Sequence, residues 1–197
     1  GYMWGYDNVG SSPTPSSDVY RGTTPFSEPE TDAVRRLFAG RDFRAVVSFH
    51  SYSQVILYPW AYIAQPSPMD AELSELARTM SGLMAAVRGT VYAYGPSASG
   101  IGYTSNGDTT DWTFGVAGIP SFTIELPPAD VDEGGFFNDE AEIDGIFREN
   151  LQAMLFLAGR AIGAAPPARL SLRDQDRRRK LPARFKLFRG TPLSPGD

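Results

Sequence analysis

Two side chains in this sequence stand where chemistry is expected, one histidine and one glutamate. His50 is the only histidine among the 197 residues, and it lies between the apolar run 44–49 and a polar Ser-Tyr-Ser sequence. Open α/β sheets place binding sites at such an edge, although a structural histidine with satisfied hydrogen bonds is the alternative. Glu125 interrupts the apolar run 122–126. Because a buried carboxylate is costly unless it is paired or bound to a metal, we interpret Glu125 as functional, with a core ion pair as the alternative.

Two further side chains gain meaning only in combination with these. Tyr103 lies in the glycine-containing segment 95–107, where an exposed aromatic residue is ordinary. Asp111 lies where a carboxylate at the start of a helix is ordinary. Neither residue indicates a function alone. Their order and spacing relative to His50 and Glu125 carry the information.

The elements that must position these residues alternate between strand and helix. Apolar residues at helical spacing predict helices over about 27–40, 68–88, 108–116 and 140–163. Short apolar runs predict strands over 44–49, 54–58, 91–94 and 121–126, the first two of them buried on both faces. The glycines of 95–107 predict a mobile loop. This alternation predicts an α/β sheet domain.

Composition and charge bound the remaining possibilities. The chain is 42% apolar, enough for one hydrophobic core, and no apolar run reaches the ~20 residues of a membrane-spanning helix. It contains no cysteine, which excludes disulfides and thiolate metal sites. Residues 166–197 hold nine of the 18 Lys and Arg and three acids, a net +6, which leaves −11 on residues 1–165. An acidic body disfavours nucleic acid as a partner. We therefore predict a domain over 1–165 and a solvated basic tail over 166–197, with a nucleic-acid or membrane-surface contact of that tail as the alternative.

The motifs together closely resemble those of the zinc metallocarboxypeptidases of the carboxypeptidase A, B and T type. Residues 49–54, followed by Leu-Tyr-Pro-Trp at 57–60, resemble the third zinc-ligand motif of that family. Residues 103–112 resemble its mobile-tyrosine loop, and 122–126 resemble its catalytic-glutamate strand. The similarity runs from about residue 1 to 163, in the family's order. It implies the C-terminal part of the catalytic domain, with a mixed parallel and antiparallel sheet flanked by helices.

The resemblance implies a role for each of three side chains. His50 would be a ligand of the single zinc ion, which polarises the scissile carbonyl. Glu125 would accept a proton from the attacking water and pass it to the leaving amine. Tyr103 would swing over the bound peptide and hydrogen-bond its terminal carboxylate or scissile amide. The implied substrate is the C-terminus of a peptide.

The resemblance also implies a set of substrate-binding residues: Ser51, Tyr52, Leu57, Ala61, Tyr103, Asp108, Thr110 and Thr123. Five of these match positions that line the family's pocket for the terminal side chain: Leu57, Ala61, Asp108, Thr110 and Thr123. Enzymes of the family that are strict for basic residues carry an acid at the position of Thr110, which is neutral here. Asp108 could attract Lys or Arg, or it could merely cap its helix. We predict a broad preference for apolar and basic terminal residues.

Backbone geometry is a further implication of the resemblance. The family implies cis peptide bonds without proline at Ser51-Tyr52 and Pro59-Trp60, and a third cis bond at Pro127-Pro128. It also implies a secreted or periplasmic protein. The sequence makes no prediction of the oligomeric state.

The sequence departs from the family in its zinc ligands. The family's His-x-x-Glu motif, and the arginines that bind the substrate carboxylate and the oxyanion, belong before the point that matches Gly1. A catalytic zinc site normally takes three protein ligands, so we expect the chain alone to bind zinc weakly and to be inactive. Two other hypotheses are a peptidase of the same fold acting on bacterial cell-wall stem peptides and a non-catalytic, carboxypeptidase-like binding module.

Overall fold

A four-stranded sheet forms the centre of the computed structural model, which describes residues 2–101, 103–137 and 139–163. The strands are β1 (Val46–Ser51), β2 (Val55–Tyr58), β3 (Ala93–Pro96) and β4 (Ser121–Leu126), in the order β1-β4-β2-β3. β1 runs parallel to β4 and β2 runs parallel to β3, whereas β2 and β4 are antiparallel. The expected mixed sheet is therefore confirmed.

Four helices accompany the sheet within the described residues. They are α1 (Pro29–Phe38), α2 (Asp70–Arg88), α3 (Thr109–Ala117) and α4 (Ile143–Ala161), with short helical turns at Tyr6–Asn8, Ser97–Ile101 and Glu140–Glu142. α2 ends at Gly89, whose φ of 82° is the left-handed conformation that glycine adopts readily. None of the helices in the described ranges has the length and apolar character needed to cross a bilayer.

The hydrophobic core lies between the sheet and the helices. α2 packs against α4 and also contacts β2 and β3, whereas α3 contacts β1 and β4. Phe122 and Ile124 of β4 are fully buried, as are Met80 and Met84 of α2. Burying a side chain of this size contributes about 1.5–3 kcal/mol, so these residues fix the helices on the sheet.

The structure corrects two strand predictions. β1 was expected to be buried on both faces, but none of its residues is fully buried and Phe49 is 47% exposed. The long helix α2 packs mainly against α4, β2 and β3 rather than against β1. β3 begins at Ala93, two residues later than predicted, because pairing with β2 starts where Ala93 faces Val55. The preceding Tyr92 is fully buried and directs its hydroxyl to the Glu149 carboxylate of α4.

The segment predicted as a loop over 95–107 is also more regular than expected. β3 extends through Pro96, and residues Ser97–Ile101 form a helical turn. The Ala98 amide donates to the Trp60 carbonyl at 3.0 Å, which fixes this turn to the segment after β2. The basic tail predicted over 166–197 lies outside the described residues.

Candidate active site

His50 and Glu125 lie side by side near the carboxyl ends of two parallel strands. They are register partners in β1 and β4, and His50 Nδ1 is 3.7 Å from Glu125 Oε1. Residues opposite each other in a ladder point to the same face of a sheet. The structure thus brings the imidazole and the carboxylate together on one face.

The same face carries other residues that the sequence singled out. Thr123 is two residues before Glu125 on β4, and Leu57 of β2 pairs with Thr123. Because side chains two residues apart in a strand share a face, Leu57, Thr123 and Glu125 point the same way. Ser48 belongs to this face as well, since its Oγ lies 3.0 Å from His50 Nε2.

Glu125 is sheltered while His50 is open to solvent. The Glu125 side chain is 18% exposed and that of His50 is 53% exposed. Burial raises the pKa of Glu125 above its ordinary value, and the nearby His50 opposes this shift. A carboxylate whose pKa is raised toward neutral pH is a better general acid and base at that pH.

The backbone beyond β1 adopts the implied geometry. The Ser51-Tyr52, Pro59-Trp60 and Pro127-Pro128 peptide bonds are all cis. Ser51 ends β1 opposite Leu126, and the following ring of Tyr52 packs edge-on against Phe136 with centroids 5.0 Å apart. Ser51 and Tyr52 therefore border the His50–Glu125 pair along the chain.

Tyr103 does not join this pair in the structure. Its side chain is 79% exposed, and it forms no hydrogen bond or ring contact with another described residue. Its neighbour Ser105 is anchored, because the Ser105 amide donates to the Ala61 carbonyl at 2.8 Å. The Tyr103 side chain is therefore exposed to solvent, whereas the backbone two residues later is held by Ala61.

The remaining predicted pocket residues lie at the start of α3 and after β2. Asp108 caps α3, since its Oδ1 accepts from the amides of Thr110, at 2.7 Å, and Asp111, at 3.2 Å. Thr110 is buried, and Ala61 is buried beyond the end of β2. The capping interpretation of Asp108 therefore has direct geometric support.

Asp111, which indicates no function on its own in the sequence, joins the start of α3 to the segment after β2. It is fully buried, and its carboxylate accepts hydrogen bonds from the backbone amides of Ala61 at 2.9 Å and Tyr62 at 3.0 Å. Burial raises the pKa of Asp111 to about 7, the Ala61 amide opposes this, and the charge of Asp108 adds to it. The only signal in the sequence is an acid next to Trp112 in a short helix that also contains Phe114.

A complete zinc site needs ligands beyond the described residues. Among residues 2–101, 103–137 and 139–163, no group of three or more His, Cys, Asp or Glu side chains is placed to hold a metal ion. A catalytic zinc site takes three protein ligands and a water. His50 offers one of these ligands, so the described part of the chain does not by itself fit a zinc ion.

Comparison with known proteins decides the family. The model of the zinc carboxypeptidase family matches residues 1–153. This chain belongs to the zinc carboxypeptidase family. It is similar to carboxypeptidase A1 of Rattus norvegicus, with 35% identity over 152 residues, and to carboxypeptidase B of Bos taurus, with 34% identity over 155 residues. These alignments cover 77% and 78% of the chain but 36% of each relative, so the chain spans about a third of the length of the curated carboxypeptidases that it matches.

Two solved structures share the fold of this chain. Carboxypeptidase A from Helicoverpa armigera has a TM-score of 0.72 and 28% identity, covering 84% of this chain and 41% of that structure. Thrombin activatable fibrinolysis inhibitor has a TM-score of 0.71 and 33% identity, covering 80% and 39%. The carboxypeptidase fold expected from the motifs is thus confirmed for most of the chain.

Proposed function

We propose that this chain is the C-terminal part of a metallocarboxypeptidase that releases the C-terminal amino acid of peptides. The His50–Glu125 pair on one face of the sheet carries the proposal, because an imidazole ligand and a sheltered carboxylate are the groups that this hydrolysis needs. Membership of the zinc carboxypeptidase family supports it. Relatives named carboxypeptidase A1 and carboxypeptidase B suggest the substrate class.

Glu125 is the proposed general base and acid. Its carboxylate accepts a proton from the attacking water and delivers it to the leaving amine, a role supported by its partial burial and its raised pKa. His50 would hold the single zinc ion through one ring nitrogen, together with ligands from outside the described residues, and the ion would supply polarisation of the scissile carbonyl. Tyr103, which is exposed, donates a hydrogen bond from its phenolic hydroxyl to the terminal carboxylate or the scissile amide of the bound peptide.

The proposed substrate pocket combines mostly neutral side chains with one charge. Leu57 and Thr123 pair across β2 and β4, and Ala61 and Thr110 add two more neutral positions. Asp108 contributes the single carboxylate, although it also caps α3. We infer a preference for apolar terminal residues that also admits Lys and Arg.

The other hypotheses gain no support. The relatives and solved structures reported above are named carboxypeptidases or, in one case, an inhibitor of fibrinolysis, and neither a cell-wall peptidase nor a binding module is favoured. Because this chain supplies one proposed zinc ligand, we expect residues 1–197 alone to be inactive. A secreted or periplasmic location and the solvated tail over 166–197 remain predictions.

The test compares Glu125→Gln with Glu140→Gln, an exposed glutamate outside the site, in the full-length protein that the gene encodes. On blocked dipeptides ending in Leu or Lys, we expect Glu125→Gln to lower kcat about 10²–10⁴-fold, since it removes acid and base catalysis. Glu140→Gln should retain the parental rate. Bound zinc should be one ion per molecule in both variants, measured by elemental analysis. Full activity in Glu125→Gln would overturn the proposal.

A further inference from the structure

The Asp111 carboxylate occupies an unusual position for an acid. It is fully buried, and no Lys, Arg or His of the described residues lies within ion-pair distance of it. Its carboxylate accepts hydrogen bonds from main-chain amides alone. The Ala61 amide donates to both carboxylate oxygens, and the Tyr62 amide donates to one of them. Burying a carboxylate without a neighbouring cation is costly, so stabilisation of the helix alone does not explain why this acid is buried.

These hydrogen bonds join two segments that belong to different parts of the proposed site. Asp111 lies in the first turn of α3, next to Thr110 and three residues after Asp108. Ala61 follows β2, 50 residues away in sequence from its partner Asp111. The carboxylate therefore fixes the Ala61 side of the proposed pocket to the Asp108–Thr110 side.

The same segment after β2 also anchors the tyrosine loop. The Trp60 carbonyl accepts from the Ala98 amide at 3.0 Å, and the Ala61 carbonyl accepts from the Ser105 amide at 2.8 Å. The Ala61 amide thus donates to Asp111, and the Ala61 carbonyl accepts from Ser105, two residues after Tyr103. Displacement of Ala61 would move the pocket wall and the base of the loop together.

We propose that Asp111 is a positioning residue that sets the preference for the terminal residue, by holding Ala61 against the start of α3 and thereby fixing both the pocket width and the base of the Tyr103 loop. This inference rests on the proposed carboxypeptidase function. A residue that only stabilised the fold would affect all substrates equally. A positioning residue changes the ratio of substrates, because moving one wall alters the fit of large and small side chains differently.

Two variants separate these roles. Asp111→Asn keeps one oxygen that can accept from both amides, but its NH2 group replaces the second acceptor of the Ala61 amide, so we expect a smaller effect than that of Asp111→Ala. Asp111→Ala leaves the buried Ala61 amide and the half-buried Tyr62 amide without an acceptor, so we expect the segment to shift. Asp144→Asn, an exposed acid in the first turn of α4, is the matched control.

The first measurement is kcat and KM of the full-length protein on peptides that end in Ala, Leu or Lys. For Asp111→Ala we expect KM to rise at least tenfold for Leu or Lys while kcat changes less than threefold, so that the preference relative to Ala is altered. Asp111→Asn should change KM less than Asp111→Ala does, and the control should stay within about threefold of the parent. Equal losses on all three substrates would overturn the proposal.

The second measurement is hydrogen exchange of the Ala61, Tyr62 and Ser105 amides, which does not depend on activity. In folded Asp111→Ala we expect exchange at these three amides to accelerate at least tenfold relative to the control, since all three belong to the positioned segment. Unchanged exchange at Ser105 would show that Asp111 does not act on the loop base and would overturn the proposal. A full-length protein that cleaves no peptide would refute the carboxypeptidase function separately, while the exchange result would still show whether Asp111 positions this segment.

Discussion

The contact between β3 and α4 allows one effect on stability to be estimated from the structure. Tyr92 is fully buried just before β3, and its hydroxyl donates to Glu149 Oε1 at 2.7 Å. Glu149 is also fully buried, and its other oxygen lies 3.7 Å from Arg88 Nε, too far for a good hydrogen bond. The Tyr92 hydroxyl is therefore the main hydrogen-bond donor to a buried carboxylate.

Replacing Tyr92 by Phe removes this donor without changing the size of the ring. A hydrogen bond to a charged group contributes about 1.5–3 kcal/mol to the free energy of unfolding. The upper half of that range applies here, because the substitution leaves the buried Glu149 carboxylate without its donor. The bond from the Asn150 amide to the same hydroxyl, at 3.3 Å, is also lost. We expect the free energy of unfolding to fall by about 2–3 kcal/mol. With an m-value of about 2 kcal/mol/M, the urea midpoint should fall by more than about 1 M.

The control for this prediction is Tyr94→Phe on β3 itself. Tyr94 is exposed by more than a third, and its hydroxyl makes no hydrogen bond with the described residues. Loss of this hydroxyl should therefore lower the free energy of unfolding by less than about 0.5 kcal/mol. A double-mutant cycle adds Glu149→Gln, which removes the charge that Tyr92 stabilises. We expect a coupling energy of about 1 kcal/mol or more between positions 92 and 149. Equal urea midpoints for Tyr92→Phe and Tyr94→Phe, or no coupling, would refute the reasoning.

Three further predictions concern the core and the helices. A methyl group on Gly115 would lie 2.6 Å from the ring of Tyr2, so Gly115→Ala should lower the melting temperature. A methyl group on Gly82 meets nothing within 4 Å, so Gly82→Ala should raise the free energy of unfolding by up to about 1 kcal/mol and with it the melting temperature. Similar shifts of the melting temperature in the two variants would contradict this reasoning. Met80→Ala should cost about 2–5 kcal/mol in urea unfolding because Met80 is fully buried, and a loss below 1 kcal/mol would be contrary. Burial raises the pKa of Asp111 from 3.8 to about 7, so the folded chain retains a proton that the unfolded chain releases, and the stability of the parent should decline relative to Asp111→Asn as the pH rises from about 4 to 7. Parallel stability curves for these two proteins over that range would refute the shift.

Periodic apolar patterns were sufficient to predict most elements of this fold. The spacing in 68–88 predicts the buried face of α2, and Leu73, Met80 and Met84 are indeed buried. A local pattern reports which face of a helix is apolar, and the core selects that face. It does not report which faces of a strand are covered by other elements, which is why the expected burial of β1 on both faces was wrong.

The meeting of the site residues depends on contacts that no local pattern encodes. His50 and Glu125 are far apart in the chain, and only the parallel pairing of β1 with β4 makes them neighbours. Family resemblance supplied that association in advance. Asp111 was missed because its partners are backbone amides after β2, and main-chain groups leave no trace in residue types.

The chemistry proposed for Glu125 depends on its place on β4. Residues 121–124 are buried and residues 125 and 126 are half-buried, so the carboxylate lies where the core gives way to solvent. That place is apolar enough to raise its pKa and open enough for a substrate to reach it. A shift of one residue in the β1–β4 register would send Glu125 to the opposite face from His50, because side chains alternate along a strand. The buried Phe122 and Ile124 hold the alternate positions on the core side, and this packing keeps the carboxylate beside the imidazole.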